Sequence, residues 1–291
     1  MNKISYSQYS LWANCPLAWK LKYVDGHRID DTSIHTIFGT AMHEVIQEWL
    51  EVLYNQSEKF ANNLDLSENL KEKLSNLFKE NTKLDDDGNK IFLCDKKELS
   101  EFYMQGCLIL DYVQQHRKKI FPTQATKLFG IEHELSVEVA PGVVFNGFID
   151  IVTHNTATDK YVVYDLKTSK SGWNDYQKSD PVKLQQILLY KKFLSQTLNI
   201  PEDKISTEYI ILKRIISETS QYPVPRVSKF EPSNGKPSIK KAWAAMEKFI
   251  TECFDGEGNY NTSNINPTPS KSNCRWCKFR DKKDLCSHGI I

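Results

Sequence analysis

Two stretches near the middle of the chain, N-G-F-I-D-I-V and Y-V-V-Y-D-L-K-T-S-K, place charged groups inside runs that otherwise read as sheet core. The first carries Asp150, and the second carries Asp165 and Lys167. Side chains alternate along a strand, so Asp165 and Lys167 share one face while Tyr164 and Leu166 take the other. If the two strands pair, both aspartates can meet on that face. Buried carboxylates are costly unless they are paired or bind a metal. Two facing carboxylates suit a hard divalent ion, Mg²⁺ or Mn²⁺. Such an ion can activate water and neutralise a phosphate, and a lysine one strand repeat from an acid can orient that water. The chemistry this permits is phosphodiester hydrolysis.

The surrounding periodicities supply a frame. Residues 131–139 alternate apolar and polar, 143–152 and 161–169 read as strands, and the three predict an antiparallel meander. A fourth strand is expected over 207–215. Helices are expected over 38–53, 103–120, 181–198 (opened by Pro181) and 236–254, with short helical pieces around Pro16 and weaker helical periodicity within 66–78. The pattern predicts an α/β protein with a helical N-terminal region. There is no sign of an internal repeat.

His43 flanks the apolar stripe of the 38–53 helix, and Gln186 and Tyr190, four apart, share one face of the 181–198 helix. An imidazole set beside two carboxylates would favour Mn²⁺ over Mg²⁺, although His43 taken alone reads as a packing histidine. Glu134 is a further candidate oxygen donor. Taken in order, G-T-A-M-H-E-V, G-F-I-D-I-V, D-L-K-T-S-K and Q-I-L-L-Y resemble the motifs of a RecB-type nuclease of the PD-(D/E)xK superfamily. The resemblance runs over about residues 6–286. It implies a restriction-endonuclease-like mixed sheet flanked by helices. It also implies that His43, Asp150 and Asp165 bind the catalytic metal, that Lys167 assists hydrolysis, and that Gln186 and Tyr190 lie beside the site. No Pro-Asp pair opens the motif here, as is common among RecB-type members. The expected organisation is one nuclease domain over 1–291, with a helical insertion at about 54–120 and a cysteine-rich segment at about 253–291.

Seven cysteines, unevenly spread, argue against a disulfide scaffold. Cys274, Cys277 and Cys286 form a C-x₂-C-x₈-C run, and Cys15 stands far away in sequence. Four thiolates would accept zinc or an iron–sulfur cluster equally well. The resemblance extends to iron–sulfur members of the family, including the AddB and Cas4 groups. It implies a [4Fe–4S] cluster on Cys15, Cys274, Cys277 and Cys286, with zinc as the alternative and Cys253 as a weaker substitute for Cys286.

A formal net charge of only +1 excludes a protein that coats nucleic acid by bulk charge. Positive charge is local instead: residues 213–248 hold eight Lys/Arg against three Glu. Tyr6, Tyr9, Trp12, Trp19 and Trp276 are candidates for stacking on unpaired bases, although helical spacing assigns most of them to the core. No run of eighteen apolar residues and no apolar leader occurs, so a cytoplasmic protein without a membrane partner is expected. The expected activity is a metal-dependent DNA exonuclease acting on single-stranded DNA or free ends. A nucleoside-triphosphate loop is absent, so a helicase or recombination partner would supply any motor. The alternatives are a Cas4-type CRISPR-adaptation nuclease and a non-catalytic DNA-binding or scaffold subunit.

Overall fold

The computed structural model describes residues 1–216 and 224–290. The chain opens with β1 (Asn2–Ile4), α1 (Tyr6–Asn14) and α2 (Pro16–Trp19), followed by a π-helical turn over Lys20–Val24. Pro16 starts α2, as its fixed φ and missing N–H favour. The long α3 (Ile34–Asn55) begins four residues before the expected start at 38, because Ser33 and Thr36 cap it reciprocally. Its Phe38, Met42, Val45, Ile46, Trp49 and Leu53 are buried, as the 3.6 period requires. Next come α4 (Glu58–Asn62), α5 (Leu66–Glu80), the small hairpin of β2 (Lys83–Leu84) and β3 (Lys90–Ile91), α6 (Lys96–Gln115) and α7 (Arg117–Ile120).

The sheet follows, with β4 (Thr126–Ala140), β5 (Val143–Asn155) and β6 (Lys160–Ser169) forming the expected antiparallel meander. After α8 (Asp175–Ser179), α9 (Pro181–Leu198) crosses over to β7 (Ile205–Lys213), which pairs parallel with β6. Pro181 and the Asp180 cap start α9, and Asn199 ends it in the left-handed conformation. β8 (Val227–Phe230) pairs antiparallel with β7, and α10 (Lys236–Cys253) and α11 (Lys271–Arg275) complete the chain. The result is an α/β fold with a mixed six-stranded sheet flanked by helices, and a helical N-terminal region.

Two cores sandwich the sheet. One packs α3, α5 and α6 against Ile151, Tyr164, Leu166, Ile210 and Leu212. The other packs α1, α9 and α10 against Phe145, Ile149, Val163, Tyr209 and Ile211. Two short strands of this sheet, β1 and β8, escaped the sequence reading, as did the small β2–β3 hairpin. Three or four residues carry too little periodicity, and pairing partners more than a hundred residues away hold β1 in place. Among the described residues no helix is long and apolar enough to cross a membrane. Part of the basic 213–248 stretch, residues 217–223, lies outside the described residues.

Candidate metal centre at the sheet fork

β5 runs along β4 for its whole length, from Val143 to Asn155. Its other edge is shared: β1 takes Val143–Phe145, and β6 takes only Ile151–Asn155. The ladder between β5 and β6 stops at Ile151 and Tyr164, beyond which β6 continues alongside β7. Asp150 and Asp165 are the next residues on each strand, so they sit where the two strands part. Asp150 replaces the missing ladder bond, its Oδ2 accepting from the Leu166 N–H at 2.6 Å. Asp165 is buried, and the Lys167 ammonium lies 2.6 Å from its Oδ2. Both Asp165 oxygens are otherwise without a hydrogen-bond partner.

The neighbouring elements close in from both faces. From α3, His43 brings its Nδ1 to 3.6 Å from Asp150 Oδ2. From β4 comes Glu132, and ligand atoms of His43, Glu132 and Asp150 all lie within 4.8 Å of one another. Gln47, one helical turn beyond His43, donates to Glu132 Oε1 at 2.6 Å and to the Asp150 carbonyl at 3.2 Å. One amide thus ties β4 to β5 at the ligands. Glu132 has φ of 45°, a left-handed conformation that is unusual for a non-glycine residue and uncommon within a strand. From α9, Gln186 accepts from Lys167 Nζ at 3.2 Å and donates to the Tyr190 hydroxyl at 3.1 Å. Gly147 permits that approach. A Cβ there would stand 3.0 Å from the Phe145 ring and 3.1 Å from Tyr190 Cε1.

The electrostatics describe a centre short of positive charge. Burial raises the pKa of Asp150 and of Asp165 to about 6, against the pull of Lys167. Burial, with Lys167 nearby, lowers that of His43 and keeps its imidazole neutral, the form that binds metals. Burial works against the Lys167 ammonium, but Asp165 and Asp150 outweigh it and raise its pKa. A divalent ion would relieve the crowded carboxylates and hold them ionised. One imidazole nitrogen and two carboxylates form a donor set suited to a mononuclear divalent ion, Mn²⁺ above Mg²⁺.

Of the residues expected from sequence, His43, Asp150, Asp165, Lys167, Gln186 and Tyr190 all converge on this fork. The set of three close ligand atoms holds Glu132 where Asp165 was expected, and Asp165 is paired with Lys167. Glu132 and Gln47 were missed. Glu134, the glutamate considered, pairs in register with Phe148 instead. Tyr9, Trp12 and Trp19 are buried in core, whereas Trp276 is exposed.

The cofactor expectation for the cysteines is corrected. Cys15, Cys274, Cys277 and Cys286 line one cavity, but its volume is about 20 Å³, the room of about one water. Among the described residues, the only group of three or more ligand atoms within 4.8 Å is the His43–Glu132–Asp150 set. Cys15, Cys277 and Cys286 flank a small apolar cluster of Ala18, Leu21 and Phe279, an environment that favours packing thiols. The resident cofactor supported by the fold is one divalent ion at the fork, in place of a [4Fe–4S] cluster or zinc on those four thiols.

No curated protein matches the chain significantly. A family pattern does, over residues 3–282, and that span holds all of the sheet but Asn2, the fork and both helices that close on it. With the G-x-x-D at Asp150 and the D-x-K at Asp165 and Lys167 meeting where two strands diverge, the chain belongs to the PD-(D/E)XK nuclease superfamily.

Proposed function

We propose that this chain is a divalent-metal-dependent deoxyribonuclease of the RecB type, acting at free or single-stranded ends. The observation that carries the reading is the fork itself. It sets a His43–Glu132–Asp150 ligand group beside an Asp165–Lys167 pair, with Asp165 buried and the Lys167 ammonium partly exposed. A bound Mg²⁺ or Mn²⁺ would supply Lewis-acid activation of water and charge neutralisation at the scissile phosphate. The chain's residues do the rest. His43, Glu132 and Asp150 would hold the ion, and Asp165 would add a carboxylate beside it. Lys167 holds the attacking water and offers positive charge to the pentacovalent phosphorus. Gln186, itself held by Tyr190, keeps the Lys167 ammonium from turning away.

The whole chain acts as one nuclease unit in this reading. The helical segment 54–120 packs through α5 and α6 onto α3, the helix that carries His43, and we read it as a wall that restricts access to strand ends. The test is cleavage of end-labelled single- and double-stranded DNA with Mg²⁺, Mn²⁺ or EDTA, beside Asp165→Ala. Metal-dependent cutting that the substitution abolishes supports the reading, and a ladder growing from one labelled end supports the exonuclease. Folded protein that cuts no DNA with either ion would refute it.

A further inference from the structure

A second cavity opens from the fork, about 330 Å³ in volume. It shares Lys167 and Gln186 with the candidate metal centre and continues between α1 and the start of α9. Its size is at the small end of ligand pockets, with room for one nucleotide but not for a base pair. Trp173 forms an aromatic wall. The wall is set in place by the loop after β6, where Ser169 Oγ donates to the Gly172 carbonyl at 3.0 Å and accepts from the Gly172 N–H at 3.1 Å. Gly172 turns the chain with φ of 102°, a conformation open to glycine and closed to most residues. The Trp173 ring then packs on Tyr209 at 4.9 Å, and the Lys183 ammonium lies 5.4 Å from the indole. Tyr6 and Ser10, from α1, also line the cavity. The Tyr6 hydroxyl is buried and has no hydrogen-bond partner, although buried hydroxyls ordinarily find one.

We propose that this cavity receives one unpaired nucleotide next to the scissile phosphate, with its base against Trp173, its polar edge against Tyr6 and its phosphate chain toward Lys183. The proposal rests on the nuclease reading and deepens it. A strand whose phosphate lies at Lys167 must send an adjoining nucleotide into the neighbouring space. An aromatic face accepts any base, whereas a flanking lysine favours the phosphate chain, which is the pattern of single-strand binding. A paired base is held in its stack and cannot enter. The site therefore selects for frayed or single-stranded ends without reading sequence.

The deciding measurement is affinity by fluorescence anisotropy in EDTA, where cutting cannot proceed, using a labelled twelve-nucleotide oligo-dT and a blunt twelve-base-pair duplex. Loss of a base–aromatic stack costs about 10-fold or more in affinity. Trp173→Ala is expected to weaken the single strand by that factor and the duplex by much less, while Trp173→Phe stays close to wild type. Ser10→Leu, which fills the cavity from α1 and leaves Trp173 in place, is expected to give the same selective loss. It serves where Trp173→Ala disturbs packing against Tyr209. Unchanged single-strand affinity in both Trp173→Ala and Ser10→Leu overturns the subsite, as does equal loss for strand and duplex. Cleavage measured beside it separates the two claims. Cutting that Asp165→Ala abolishes, with no selective effect at Trp173, leaves the nuclease and removes the subsite. Selective binding without any cutting leaves the subsite and removes the nuclease.

Discussion

Two lysines of this protein meet at α9, Lys167 reaching it from β6 and Lys191 belonging to the helix itself, and only one of them is built for chemistry. Lys167 is half-buried at the fork, paired with Asp165 and held by Gln186, beside an open cavity. Lys191 is buried almost completely, and its ammonium donates to the carbonyl and to the side-chain oxygen of Asn234, both at 2.8 Å. Burial lowers the Lys191 pKa, whereas two carboxylates raise that of Lys167. Lys191 latches the turn that leads into α10, and neutral acceptors satisfy it. Lys167 is one member of a charge set that is incomplete without another cation. The lesson is that burial of a charged group does not mark a site. The mark is counter-charge left over after every local partner has been counted.

The sharpest way to break this contrast is to remove each ammonium in turn. Lys167→Met is expected to lower cleavage by about 10²–10³-fold, the cost of losing one donor aimed at developing charge. Asp165→Ala should lose at least as much. Lys191→Met should leave cleavage within a few-fold of wild type and show its effect in thermal stability, by about 1–3 kcal/mol, because the Asn234 acceptors lose their donor. Comparable losses of activity at Lys167 and Lys191 in single-turnover assays would end the distinction.

The next effect concerns the metal. Ligand bound only by the native state stabilises it by about 2.7 kcal/mol at 100 times its dissociation constant. Mn²⁺ should therefore raise the unfolding midpoint of the wild type and of Lys191→Met, and chelation should reverse the rise. His43→Ala and Glu132→Ala should abolish it. Gln47→Leu removes the amide that fixes Glu132 and should weaken Mn²⁺ by about 10–100-fold, as loss of a ligand's supporting hydrogen bond commonly does. Isothermal titration reads the affinity directly. An unchanged Mn²⁺ affinity in Glu132→Ala would remove that residue from the ligand set.

How much of this was legible beforehand follows from which distances the sequence encodes. Asp165 and Lys167 are two apart on one strand, and Gln186 and Tyr190 are four apart on one helix, so local periods place each pair. Pro181 and the capping residue before it fix the start of α9 to the residue. Glu132 is different. The run 131–139 offers Glu132, Glu134 and Glu138 on the same alternation, and nothing local ranks them. The choice is made by register, with Ile131 opposite Ile151 and His133 opposite Ile149, which brackets Glu132 to the level of Asp150. A bulge between Leu128 and Gly130 and the left-handed φ of Glu132 adjust it further. The cysteines taught the converse. Ligand-like spacing, C-x₂-C included, says that sulfurs can approach and not that they enclose room for a cofactor.

A smaller effect is electrostatic and belongs to the metal-free protein. Asp150 and Asp165 titrate near 3.8 when unfolded and at about 6 when folded, because burial disfavours their charge. The native state therefore holds more protons than the unfolded state between those values, and stability falls as pH rises through that window. In EDTA, chemical denaturation should show the fold losing stability from about pH 4 to about pH 6 through these groups. Asp150→Asn should flatten that slope, and Lys191→Met should leave it intact. Added Mn²⁺ should restore most stability at neutral pH and least at pH 4, where protons compete for the ligands. A slope unaffected by Asp150→Asn would place the strain elsewhere.

The smallest expected effect probes how tightly the two sides of the fork are coupled. Gly147 lies three residues before Asp150, and its missing side chain is the space in which Tyr190 approaches β5. Gly147→Ala puts a methyl group at 3.0–3.1 Å from two aromatic rings, closer than ordinary contact allows. Neither ring can yield freely, since Phe145 is wholly buried and Tyr190 nearly so. The substitution should cost about 1–3 kcal/mol of stability, as overpacking does. Its reach into activity runs along one chain of contacts, from Tyr190 through Gln186 to Lys167. A shift of a few tenths of an ångström passed along two hydrogen bonds should lower the maximal rate by a few-fold and leave Mn²⁺ affinity unchanged, because His43 and Glu132 lie on other elements. Tyr190→Phe, which cuts the same chain at its first hydrogen bond without adding volume, should reproduce the rate loss without the full stability loss. If Gly147→Ala weakens Mn²⁺ as well, the methyl has displaced Asp150 itself, and the glycine serves the ligand strand more than the lysine.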